Sequence, residues 1–298
     1  MLIMVVIVIG VTVITFLIMQ LSPGDPVELM AGPRVTPERI EALKARFGLD
    51  KPIYIQYFYW LSRIIQGDFG TSIVTGQPAG MLIYGRVPYT LVLTTAAMSI
   101  SLLVGIPLGV MSAIRQYSVL DYISTGAAFF WLSMPGFWLG LMLMLIFGLY
   151  LGWLPISGYR GLSSLVLPAV TLGLPQIASI LRLTRSDLLE VIREDYITAV
   201  RAKGMRERIV LYRHALRNAI IPVVMITFLS IPWLIGGAVV IETVFAWPGM
   251  GRLLYKAIVG KDFPIVQGII FIIAILTVLS NLAGDILAAY LDPRIRYE

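Results

Sequence analysis

The chain has 298 residues, of which 58% are apolar and 13% charged, with a mean hydropathy of +0.87. Soluble domains carry about 25% charged residues, so the composition excludes an ordinary water-soluble fold. The absence of cysteine excludes disulfides and thiol chemistry. The net charge of +6 does not mark a nucleic-acid binder, because most basic residues flank apolar stretches.

Six stretches contain no Asp, Glu, Lys or Arg: 1–24, 87–114, 122–159, 161–181, 218–241 and 263–284. A helix needs about 20 apolar residues to cross a hydrocarbon core of about 30 Å, and backbone groups in lipid must be bonded within the segment. The prediction is an all-α membrane protein with six transmembrane helices. The first span covers residues 1–20. It has no basic flank and no small-residue cleavage site, so it reads as a span and not as a signal peptide. The lack of Lys or Arg ahead of it suggests a native start slightly upstream.

Residues 21–86 form a predicted extracytoplasmic helical insert between spans one and two. Thr36 is a good N-cap, Pro37 suits the first helical position, and Glu38 and Glu41 suit the positive helix end. Lys44 and Arg46 suit the other end, which Gly48 closes. A second helix is predicted from Pro52 to Gln66, stopping at Gly67. Tyr54, Tyr57, Phe58, Trp60 and Leu61 make it too apolar for a free surface. It is expected to lie on headgroups or against the outer span ends, as packing and not as a solute contact.

The membrane core is predicted over 87–290, with spans at 88–114, 122–152, 165–186, 219–241 and 265–288. The third charge-free stretch is read as one span plus a turn at 153–158, broken by Pro155. The tail is 291–298. Segments 115–121, 182–217 and 292–298 hold twelve Lys/Arg, whereas the opposite short loops, around Arg160 and over 242–262, hold four. Basic residues favour the cytoplasmic side, so both termini are expected inside.

The cytoplasmic loop, residues 187–217 within a basic segment starting at Arg182, is the most informative part. The segment 182–217 has nine Lys/Arg and five Asp/Glu. Mixed charge with helical apolar spacing suits a protein contact better than a lipid collar, which would be uniformly basic. Asp195 is a candidate N-cap and Gly204 a helix stop, enclosing a short helix over 196–203. Tyr196, Ala199 and Val200 share a face. Ala199 and Ala202 allow a partner to approach closely, and Arg201 and Lys203 add charge. A second helix is read over 206–216. A short helix held between two spans acts as a lever.

Asp195-Tyr196-Ile197-Thr198-Ala199-Val200-Arg201-Ala202-Lys203-Gly204, followed by His214-Ala215-Leu216-Arg217-Asn218-Ala219-Ile220-Ile221-Pro222, resembles the EAA loop of ABC importer permeases. The likeness is to the dipeptide, oligopeptide and nickel branch. The Glu-Ala-Ala and Gly positions correspond to Thr198, Ala199, Val200 and Gly204; the leading Glu is missing. Pro23-Gly24-Asp25-Pro26, the run from Gly67 to Ser72, the run from Glu242 to Arg252, and Asp292-Pro293-Arg294-Ile295-Arg296 also resemble motifs of that branch. The resemblance covers essentially the whole chain. It implies the type I importer permease fold and a prokaryotic inner-membrane location. It also implies a second homologous permease, two cytoplasmic ATP-binding subunits using ATP and Mg, and an extracytoplasmic solute-binding protein. The helix ending at Gly204 becomes a coupling helix seated in an ATPase groove. The branch carries peptides, nickel chelates, glutathione and some sugars; peptide is the default solute.

The chain shows no P-loop, His-Glu-x-x-His or Gly-x-Ser-x-Gly, so no catalytic residue, metal site or cofactor of its own is predicted. His214, the single histidine, reads as a loop contact. Asp285 interrupts the end of the last span and is expected to pair with Arg182 or Arg185. Pro107, Pro135, Pro168, Pro175, Pro222 and Pro232 mark kinks. Gln176, Asn218 and Asn281 either line a path or bond neighbouring helices. Two other readings remain: an ion-coupled secondary transporter, which would want buried coupling charges, and a non-transporting scaffold, which would leave the lever-like loop unexplained.

Overall fold

The computed structural model describes residues 2–21 and 51–291. The predicted helix near Thr36 and the Pro23–Pro26 and Asp292–Arg296 motifs lie outside the described residues. Among the described residues every regular element is a helix apart from a single antiparallel bridge between Thr71 and Pro78.

Helix α1 is Leu2–Leu21. At 1.5 Å per residue its 20 residues extend about 30 Å. Helix α2, Ile53–Ile65, begins after Pro52 and closes at Gln66, with Gly67 at a φ of +82°, which matches the predicted limits. Helix α3, Ala79–Tyr84, leads into α4, Val87–Ile114. A turn with Tyr117 at a φ of +63° follows. Ser118 then caps α5, Val119–Ser133, by accepting the Asp121 N–H at 3.3 Å.

The predicted span over 122–152 is not one continuous helix. It is two helices, α5 and α6, Gly136–Leu143, with α6 continued by a π turn over Met144–Tyr150. The pair is bent by 108°. Pro135 has no N–H to continue the ladder, and it holds Met134 extended, at φ −89° and ψ 133°.

Helix α7, Ser163–Ile192, is followed by α8, Asp195–Ala202. Helix α9, Glu207–Ile209, runs through a π turn over Val210–Ala215 into α10, Leu216–Leu229. Helix α11 is Ile231–Val244, α12 is Met250–Val259 and α13 is Phe263–Leu291. The fifth span is also corrected. The predicted 219–241 divides at Ser230, with Pro232 in the first turn of α11. The apolar helix long enough to cross is Glu207–Leu229, which recruits residues expected in the loop.

By length and composition, Ala79–Ile114, Ser163–Ile192, Glu207–Leu229 and Phe263–Tyr290 can each cross a bilayer. The bent α5–α6 pair is a broken span or a re-entrant hairpin, and Val6–Leu17 and α11 are shorter apolar helices.

The chain divides into two units. One comprises Met1–Tyr89 with Pro248–Val278, the other Thr90–Trp247 with Leu279–Glu298. In the first, α2 packs on α1. Phe16 meets Tyr57 and Trp60, each with ring centroids 5.6 Å apart, and the Thr12 and Tyr57 hydroxyls are 2.9 Å apart. The Gly67–Ser72 motif is a folded turn. Arg63 holds Asp68 at 2.7 Å, and Asp68 accepts the Gly70 N–H at 2.9 Å. Those two contacts, the amide first, keep the Asp68 carboxyl below the usual carboxylate range. Phe69 is buried, and Asp262 accepts from the Ser72 hydroxyl and from the Ile73 N–H at 3.0 Å.

In the second unit, α4 and α7 touch backbone to backbone. A Cβ on Gly109 would lie 2.7 Å from the Leu181 carbonyl oxygen, and one on Gly173 would lie 2.9 Å from that of Ala97. Small residues permit such approaches between membrane helices. The Gly105–Gly109 spacing carried this signal in the sequence. At the far end of α11, Glu242 is fully buried and accepts from the Thr90 hydroxyl at 2.6 Å. Trp247 packs edge-on against Tyr159, with ring centroids 5.3 Å apart.

Candidate functional site

The predicted lever is a real helix with slightly shifted ends. Its N-cap is Glu194, extended at ψ 146°, and not Asp195, which sits in the first turn. There a carboxylate favours the positive helix end. The backbone N–H groups of Ile197 and Thr198 donate to the Glu194 carbonyl at 3.0 and 3.3 Å. At the other end Lys203 closes the helix and Gly204 takes a φ of +75°, a left-handed conformation that glycine adopts without steric cost.

The inward face is anchored by a residue that the sequence reading passed over. Ile197 is fully buried among Val110 and Ala113 of α4, Leu188 of α7, Val210 and Ala215 of the π turn, and Ala219 of α10. Val200, one turn later, packs against the same cluster. The signal was the apolar pair at i and i+3. The predicted common face of Tyr196, Ala199 and Val200 is therefore divided: Tyr196 and Ala199 are exposed, Val200 half-buried. Thr198, Ala199, Arg201, Ala202 and Lys203 form the outward surface together with Asp195 and Gly204.

Polar links fix α8 to the following helix. The Asn218 side-chain amide donates to the Tyr196 hydroxyl at 2.7 Å. Asn218, in the first turn of α10, thus bonds that helix to α8. Arg201 bridges the Gly204 turn to Glu207 at 2.8 Å, and this contact raises the Arg201 pKa.

The expected pairing of Arg185 with Asp285 is corrected. The Arg185 guanidinium makes two bonds to Asp121, at 2.6 and 2.8 Å, and Asp121 is further held by the Ser112 hydroxyl and the Tyr117 N–H. Asp121, at the start of α5, lies beside Arg185 despite their distance in the chain, because α5 and α7 run side by side. Arg182 lies over the Phe129 ring, 4.7 Å from its centroid. Asp285 is exposed on α13. His214 offers its backbone carbonyl to the Tyr196 hydroxyl at 3.5 Å. No group of three metal-ligating side chains occurs among the described residues.

A second feature lies within the apolar bundle. A cavity of about 480 Å³ opens between α6, α7 and α11, and Gln176 lines it.

A membrane bundle with a short helix anchored at its charged end matches a known architecture. Residues 105–297 match the family described as Binding-protein-dependent transport system inner membrane component. The chain belongs to this family. Residues 1–94 match the companion family, Binding-prot-dependent transport system membrane comp, N-term. The oligopeptide transport system permease protein AppB of Bacillus subtilis is 43% identical, over 98% of this chain and 96% of that protein. The dipeptide transport system permease protein DppB of Alkalihalophilus pseudofirmus is 39% identical, over 97% and 95%. Among solved structures, a chain of the inward-facing MetNI methionine ABC transporter superposes with a TM-score of 0.60 at 20% identity, over 71% of this chain and 97% of that chain. That likeness is one of fold. The chain is accordingly a multi-pass inner-membrane permease subunit of an ABC importer, and not an enzyme.

Proposed function

We propose that this permease carries peptides released by an extracytoplasmic binding protein, and that α8 is its coupling helix. Oligopeptide and dipeptide permeases are its relatives over nearly the full chain, which supports the peptide class. The assembly is a heterodimer of this chain with a second homologous permease, carried by two cytoplasmic subunits that bind and hydrolyse ATP with Mg. Both termini face the cytoplasm. Residues 21–86 are extracytoplasmic, 187–217 form the coupling loop within the 87–290 core, and 291–298 form the tail.

The observation that carries the coupling role is Ile197. It is fully buried in a cluster drawn from α4, α7 and α10, while its neighbours on the other face are exposed. A push on Ala199, Ala202 and Lys203 is delivered through Ile197 to three membrane helices at once. Closure of the ATPases then tilts those helices as a body, which is alternating access by rigid-body motion. Asp285 is assigned a structural role with Arg182.

Proteoliposome uptake tests the reading. Peptide entry that requires ATP and both ATPases is expected. Uptake driven by an ion gradient in this chain alone would favour a secondary carrier, and no uptake with every partner present would favour a scaffold. Gly204→Pro and Ala199→Trp are expected to leave ATP hydrolysis uncoupled from uptake, or to prevent ATPase docking. Normal coupled transport in both variants would remove α8 from the mechanism.

A further inference from the structure

The cavity between α6, α7 and α11 measures about 480 Å³, within the range of small-ligand pockets, about 300–1,000 Å³. None of its lining residues is charged; Phe137, Leu172 and Val240 are apolar, and Trp233 presents a largely apolar ring. Its polar groups are few and cluster on α7. Gln176 is 5% exposed, and its side-chain amide nitrogen has no hydrogen-bond partner. An unpaired buried donor is costly, and native proteins leave few. Among the described residues two other buried side-chain atoms lack partners, on Thr184 and Asp187, but neither residue lines this cavity.

The neighbouring hydroxyls complete the pattern. Thr171 donates its proton to the Leu167 carbonyl at 2.7 Å, and Ser179 donates to that of Pro175 at 3.2 Å. Their protons are committed to the helix, so each oxygen is left to accept. The cavity therefore offers a free N–H donor, two hydroxyl acceptors and apolar walls, with no ion to meet a charged terminus.

We propose that this cavity is a solute subsite that binds a peptide main-chain unit, resting on the peptide-importer reading. Gln176 donates to the peptide carbonyl, and the Ser179 or Thr171 oxygen accepts the peptide N–H. The apolar walls take side chains without reading a particular one. Charged termini are left to other parts of the path.

The test uses the complete reconstituted transporter and a binding protein preloaded with a tripeptide or with its analogue in which one amide is replaced by an ester. Single-turnover uptake is compared for wild type and the Thr171→Val/Ser179→Ala double variant, which lacks the two hydroxyl acceptors for the peptide N–H. Wild type is expected to favour the amide over the ester more strongly than the variant does, by about threefold to tenfold, the worth of one hydrogen bond. Equal discrimination in both would overturn the subsite. Gly237→Val supplies an independent test. Gly237 lines the cavity, and a Cβ there meets only Leu172, at 3.4 Å, so the added side chain narrows the space. Uptake of peptides with aromatic side chains is expected to fall relative to trialanine; an equal fall for both would also overturn the proposal. Absence of any peptide uptake by wild type would instead remove the importer reading on which the subsite rests.

Discussion

Ile197 and Glu207 show how unequal two contacts of one short helix are. Ile197 is fully buried and touches residues from several helices. Removing its branched side chain leaves a cavity as well as losing apolar burial, at a cost of about 2–5 kcal/mol for Ile→Ala in a packed core. The Arg201–Glu207 pair has good geometry, but both side chains are more than a third exposed. Such pairs are worth about 0–1 kcal/mol. Ile197→Ala is therefore expected to lower the thermal midpoint of the detergent-solubilised transporter by several degrees, with Glu207→Gln close to wild type. Equal midpoints for the two variants would show that Ile197 is not the anchor. Neither contact was read from the sequence. The sequence shows an apolar residue beside Tyr196, but which face turns inward depends on α4 and α10, which are distant in the chain.

At the scale of elements, helix meets helix through what is missing. Gly109 brings α4 to α7 so closely that one added methyl would lie 2.7 Å from both the Leu181 carbonyl oxygen and Thr184 Cβ. A backbone oxygen within a helix cannot turn aside, so the helices must separate. Gly109→Ala is expected to destabilise the protein by about 1–3 kcal/mol through overpacking. Gly126→Ala, where nothing lies within 4 Å, is the matched control and is expected to be neutral or better, since alanine is the stronger helix former. Thermal unfolding in detergent, or the folded fraction recovered from membranes, reads the difference. Equal behaviour of the two variants would mean that α4 and α7 do not meet at Gly109. Lengths of apolar runs made the helices legible, because hydrophobicity and span length are local. Bends were less so. Pro135 and Pro232 both stood within apolar runs, yet one accompanies a 108° bend and the other starts a helix after a break at Ser230. A missing N–H weakens a helix at a known place; the angle that results is set by packing against neighbours.

At the scale of the whole molecule, orientation rests on charge alone. The segments expected inside hold three times as many Lys/Arg as the short loops expected outside, twelve against four, and such asymmetry sets the direction of insertion. The bent α5–α6 pair makes the parity of crossings a matter to be measured, because a broken span changes sides and a re-entrant hairpin does not. The absence of cysteine makes the measurement direct. Single cysteines at Val119 and Met205 report the segments following α4 and α7 that are expected in the cytoplasm, while Leu162 and Val259 report loops expected outside; all four positions are exposed. A membrane-impermeant maleimide applied to intact cells with the outer barrier opened is expected to label Leu162→Cys and Val259→Cys. Val119→Cys and Met205→Cys are expected to react only after the inner membrane is broken. Labelling of Val119→Cys and Leu162→Cys from the same side would show that α5 and α6 form a re-entrant hairpin, and the side assigned to every later loop would then reverse. With the expected pattern, the α5–α6 pair is a broken crossing, and α8 lies on the side where ATP is available to drive it.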